Sequence, residues 1–68
     1  MAVTKVIEVI GSSPDGSDEA VREAYAAASR SIRGISRVDV VSISAIIEDG
    51  AIVRWDALVK VQFPVEPR

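Results

Sequence analysis

The chain has 68 residues, 49% of them apolar, 26% charged and 4% aromatic, with a formal net charge of −2 and neither Cys nor His. A lone core of this size rarely supplies more than ~3–5 kcal/mol without a staple, and the missing residue types exclude disulfides and Cys/His zinc sites. With both staples missing, assembly with further copies is the expected source of stability; the same absences exclude a thiol nucleophile, an imidazole base and a Ser-His-Asp triad.

Val3 to Ile10 is rich in β-branched residues and runs into Gly11, which predicts a first strand. Turn chemistry follows in Gly11-Ser12-Ser13-Pro14-Asp15-Gly16. A helix begins inside it, either with Ser13 as N-cap and Pro14 at the first helical position, or at Ser17 if Gly16 is excluded from the first turn. Asp15, Asp18 and Glu19 place negative charge at the positive end of its dipole. Val21, Ala24, Tyr25, Ala28 and Ile32 recur at helical spacing and predict an apolar stripe reaching about Arg33, with Arg30 and Arg33 at the C-terminal end and Gly34 as the stop. A stripe so rich in alanine predicts a closely approaching sheet. Ser12 and Ser13 read as capping and turn residues before they read as a phosphate site.

Two further strands are predicted at about Ser36–Glu48 and Ala51–Phe63, joined by Asp49-Gly50, a strong hairpin signal, with Pro64 and Pro67 ending the ladder. A two-residue loop sets Glu48 opposite Ala51. Regular alternation then puts Val38, Val40, Ser42, Ser44 and Ile46 with Val53, Trp55, Ala57, Val59, Val61 and Phe63 on the face that covers the helix. Trp55 is thereby expected in the core. Arg37, Asp39, Val41 and Ile43 share the outer face with Asp56, Leu58, Lys60 and Gln62, and Asp39 lies opposite Lys60. The apolar centre Val41, Ile43 and Leu58 predicts an intersubunit surface there.

Near-neutral charge gives no electrostatic footprint for nucleic acid. The longest apolar runs fall far short of the ~20 residues that span a bilayer. The chain opens directly on a strand pattern with no apolar leader, so no signal peptide and a cytoplasmic location are expected. No serine has an imidazole partner, and catalytic residues are expected to be absent.

Three segments carry a resemblance. Lys5-Val6-Ile7-Glu8-Val9-Ile10-Gly11-Ser12-Ser13 opens the chain, Ile46-Ile47-Glu48-Asp49-Gly50 forms the turn, and Trp55-Asp56-Ala57-Leu58-Val59-Lys60-Val61-Gln62-Phe63 closes the sheet. With the alanine- and arginine-rich helix between them, they resemble the dodecins over nearly the whole chain. The resemblance implies an α+β fold of βαββ order, a three-stranded antiparallel sheet wrapped around one helix, in a single domain over residues 1–68. It implies a homododecamer, a hollow shell whose usual function is to bind and buffer flavins, with coenzyme A held by some members.

In flavin-binding members a tryptophan early in the second strand stacks on the ring and a glutamine in the third strand bonds its edge. The matching positions here hold Arg37 and Asp56, and Ser44 stands where an arginine is often found. The ligand-binding positions implied by the resemblance are thus Arg37 and Asp56, both substituted, and weakened binding of riboflavin or FMN is expected. Arg37 and Asp56 lie at opposite ends of the hairpin, so they meet only between subunits, as an ion pair. Alternatively, the Arg37 guanidinium stacks on a planar ligand or binds an anion. Some tryptophan-less dodecin-like proteins are regarded as calcium-binding, and Asp39, Glu48 and Asp49, with Asp56, are the candidate oxygen ligands. Three readings stay open: a small-ligand storage shell, an ion-binding shell, and a structural assembly with a degenerate pocket.

Overall fold

A computed structural model describes residues 3–65. Strand β1 spans Val3–Ser13, helix α1 Ser17–Ser29, strand β2 Arg37–Glu48 and strand β3 Ala51–Val65. The sheet is antiparallel in the order β1-β3-β2, so β3 is central.

The expected order of elements is present, with longer strands at two ends. β1 continues through Gly11-Ser12-Ser13, which pair with Ala57, Asp56 and Trp55. β3 continues through Pro64, paired with Thr4, instead of ending before it. Proline is tolerated there because β2 pairs no further than Gln62, leaving the other edge of β3 without a ladder partner beyond that point. Pro67 lies outside the described residues.

The helix starts at Ser17, the later of the two expected positions, after Gly16 at φ 153° and ψ 170°, a conformation essentially confined to glycine. Ser13 is not the N-cap. It is buried on the sheet, and its Oγ accepts the Asp15 N–H at 3.0 Å, closing the turn before the helix. The helix is also a turn shorter than expected. Arg30 is its C-cap, no basic residue occupies the last turn, and the Ser31 and Ile32 N–H groups both bond the Ala28 carbonyl.

Ala20, Ala24 and Ala28 form the buried line of the helix, against Ala57, Val59 and Val61 of β3. Val21 and Ile32 pack beside them, whereas Tyr25, expected in the stripe, is 47% exposed. The close approach predicted from the alanines occurs at Gly11. A Cβ there would overlap the Ala20 carbonyl oxygen and the Ala24 nitrogen and sit 2.8 Å from Ala24 Cβ.

The Asp49-Gly50 hairpin forms as predicted, with Glu48 opposite Ala51 and positive φ at both loop residues (53° and 78°), the signature of a type I′ turn. Asp39 is opposite Lys60, also as predicted. Between these two points the register differs. One irregularity falls between Val40 and Ser42, leaving Val41 unpaired, and a second between Ile46 and Ile47 leaves Val53 unpaired on β3. One extra residue on each strand cancels at the ends but shifts the middle by one, which reverses the faces there. Ile43 and Ala45 therefore join Ala57 and Trp55 on the helix side, while Ser42, Ser44 and Ile46 join Leu58, Asp56 and Arg54 on the outer side. The expected outer apolar centre of Val41, Ile43 and Leu58 is thus broken up.

The helix rests on β1 and β3 and scarcely reaches β2. Val40 and Ile43 consequently stay exposed on the helix side, as do Ile47, Ile52 and Val53 towards the hairpin end. The molecule measures 53 × 19 × 13 Å, with a radius of gyration of 14.0 Å. A compact chain of this length has a radius of about 11 Å. Its accessible surface of 4948 Å² likewise exceeds the about 4,200 Å² expected for a compact monomer of its mass.

Candidate ligand-binding face

Alternation along β3 turns Asp56, Leu58, Lys60 and Gln62 away from the helix, and their partners on both flanks complete the outer face. β1 contributes Val6, Glu8, Ile10 and Ser12, and β2 contributes Arg37, Asp39, Ser42 and Ser44. Ile10 is 64% exposed beside Leu58. Ile10 and Leu58 form a small apolar spot on this face, flanked by the charged row Glu8, Lys60 and Asp39 and by the polar row Ser12, Asp56 and Ser44.

At one end, Arg37 Nε donates to Asp39 Oδ1 at 2.8 Å, and Gln62 Nε2 donates to Asp39 Oδ2 at 2.6 Å. Asp39 is satisfied by these two groups, and among the described residues it forms no ion pair with Lys60, its partner in register. The Arg37 side chain remains 69% exposed and presents its flat guanidinium to solvent.

At the other end, Asp56 Oδ1 accepts from Ser12 Oγ at 2.7 Å and from Arg54 Nε at 3.1 Å. The Ser12 bond, opposed by partial desolvation and aided by the Arg54 guanidinium, holds the Asp56 carboxyl below its ordinary value of 3.8. Ser44 lies directly across the ladder. Arg37 and Asp56 sit in different clusters, so no single chain brings them together.

Of the candidate metal ligands, Asp39 is in the first cluster, while Glu48 ends β2 and Asp49 lies in the turn. Among the described residues, no three acidic side chains gather in a metal-binding arrangement. Ser12 and Ser13 spend their hydroxyls on Asp56 and on the Asp15 N–H, not on an open anion site. Trp55 lies on the helix side, half-buried against the core, where it also walls an open hollow with Asp15, Gly16, Ser17, Asp18, Glu19 and Arg22.

Arg54 and Gln62 are the participants that the residue pattern did not single out. Arg54 lies two residues before Asp56, hence on the same face, and that spacing is its legible signal. It stands one strand away from Ser44, so a guanidinium is present near this end of the face, carried by β3 and not by β2.

A profile of the dodecin family matches residues 3–66. Among solved structures, a dodecin from Streptomyces coelicolor is similar, with 37% identity, a TM-score of 0.91, and coverage of 98% of this chain and 96% of that one. A dodecin from Streptomyces davaonensis shares 29% identity at a TM-score of 0.90, with 97% of each chain covered. A protein from Thermus thermophilus shares 25% identity at a TM-score of 0.93 over 100% of both chains. Among curated proteins, no sequence matches this chain. The family match spans all four elements, and the chain belongs to the dodecin family.

Proposed function

We propose that this chain is the subunit of a homododecameric shell that binds and buffers a small ligand without catalysing a reaction. The observation that carries the proposal is the unfinished apolar surface of a family member. The buried core is three alanines of the helix and Ala57, Val59 and Val61, while Val40, Ile43, Ile47, Ile52 and Val53 lie uncovered. Burial of such side chains between copies is favourable by ~25 cal/mol per Å² of apolar surface. It supplies the stability that so small a core lacks.

The outer face supports a ligand role with altered selectivity. Arg37 and Asp56 occupy the positions implied for flavin contact, and each is organised by a neighbour, Asp39 or Ser12 and Arg54. Arg37 offers a planar cation in place of an indole, which lowers affinity for riboflavin and FMN. The ion-binding reading is weaker, because Asp39 and Asp56 each already accept from an arginine.

Native mass spectrometry of the purified chain, alone and with FMN or calcium, tests the proposal. A twelve-subunit mass with weak FMN adducts is expected. A monomer refutes the shell, and tight calcium adducts without flavin move the function to ions.

A further inference from the structure

We propose that Asp56 and Arg54 act as one reader of a planar ring's edge, selecting a 2-amino-4-oxo edge, with two adjacent N–H donors beside a carbonyl, over an imide edge. The inference rests on the reading that this face binds a small planar ligand in the assembled shell.

The argument starts from which atoms are already used. Both bonds to Asp56, from Ser12 Oγ at 2.7 Å and Arg54 Nε at 3.1 Å, fall on Oδ1. Among the described residues nothing bonds Oδ2, and the Asp56 side chain keeps 24% of its accessible surface. Two donors from two different strands fix the orientation of the carboxylate. Arg54 holds Asp56 through Nε alone, so its terminal N–H groups remain available on a side chain 46% accessible. Ser44 adds a hydroxyl across the ladder. The face therefore sets an oriented acceptor beside an oriented donor.

A carboxylate accepts and cannot donate. An imide edge runs carbonyl, N–H, carbonyl. Asp56 accepts the central N–H and Arg54 donates to one carbonyl, but the other carbonyl turns its lone pairs on the carboxylate, a mismatch that a primary amide, with its own N–H donors, avoids. A 2-amino-4-oxo edge runs amino, N–H, carbonyl. Both nitrogens then donate to the unbonded Oδ2 of Asp56 while Arg54 donates to the carbonyl, and all three groups of the edge are matched by charge-assisted bonds. Leaving a buried partner unmatched costs more than a good bond gains, so the preference comes mainly from rejecting the imide.

Pterin and lumazine share one bicyclic ring and differ at a single substituent, amino against oxo, which makes them direct probes. The assembled wild-type protein, its mass verified by native mass spectrometry, is titrated with each by ligand fluorescence at a pH where both rings are neutral. Pterin is expected to bind about tenfold or more tightly than lumazine. Asp56→Gln is expected to bring the ratio to unity or invert it, and Arg54→Gln to weaken pterin selectively. If lumazine binds wild type as tightly as pterin, the edge assignment is overturned while the ligand face stands. If the assembled protein binds neither ring, both fall. A pterin preference that survives in Asp56→Gln also overturns the assignment. Should that variant fail to assemble, the wild-type ratio and Arg54→Gln still decide.

Discussion

At the scale of single residues, Asp56 gathers the most consequences. Its carboxyl is held below 3.8 in the folded chain, chiefly by the Ser12 hydroxyl. A depressed carboxylate contributes stability above its unfolded pKa, and that contribution is lost as pH falls through the folded value. The gap in urea midpoint between wild type and Asp56→Asn is therefore expected to stay constant well above pH 3.8 and to close as pH drops below it. A gap independent of pH in the acid range contradicts this. Ligand selectivity is argued at the same scale. Arg37→Trp combined with Asp56→Gln restores an aromatic face and an amide edge, and FMN affinity, followed by flavin fluorescence quenching, is expected to rise about tenfold or more. An assembled double variant that binds FMN no better shows that these two positions do not form the pocket.

At the scale of elements, the tightest junction is between β1 and the helix. Gly11→Ala drives a methyl group into backbone atoms of Ala20 and Ala24, which no side-chain rotation relieves. A loss of about 2–3 kcal/mol is expected, read as a large fall in melting temperature. The sequence made much of this scale legible. Alternation, the Asp-Gly turn and the alanine stripe located every element, and the spacing of Asp39 and Lys60 gave their register correctly. The middle of the hairpin was not legible from alternation, because a bulge adds a residue without any compositional mark of its own. One signal did exist. Strict alternation had put Ser42 and Ser44 on the helix side and Ile43 outside, an arrangement that the Val41 bulge reverses. The candidate site was legible as far as residue types at Arg37 and Asp56. Their partners were not, since Ser12 and Arg54 reach Asp56 through cross-strand and same-face proximity that emerges only once the register is known.

At the scale of the whole molecule, the elongated shape and the uncovered helix-side surface of β2 point to completion by other copies. The end of the hairpin gives a direct test. Ile47 and Ile52 are cross-strand partners, 57% and 53% exposed, beyond the reach of β1. Ile47→Lys with Ile52→Glu keeps an attractive pair across the ribbon while making burial against a neighbour costly. The mass of the proposed twelve-subunit shell is expected to be absent from native spectra of this variant while present in those of the wild type. If it persists, the hairpin end is not an assembly surface. No described helix is long and apolar enough to cross a membrane, so the exposed apolar side chains are not those of a spanning helix.

The strand order carries a consequence in time. β3 is translated after β1, the helix and β2, yet it is the strand on which both others pair. Until it emerges, β1 has no ladder and the alanine line of the helix lacks Ala57, Val59 and Val61. The hairpin, with its local turn, is then free to close within microseconds, and β1 with its helix must return across a separation of some fifty residues to dock on it. The sheet therefore cannot be completed until most of β3 has been synthesised. An interruption before β3 leaves a fragment that has its helix and both outer strands but not the central strand on which they pair.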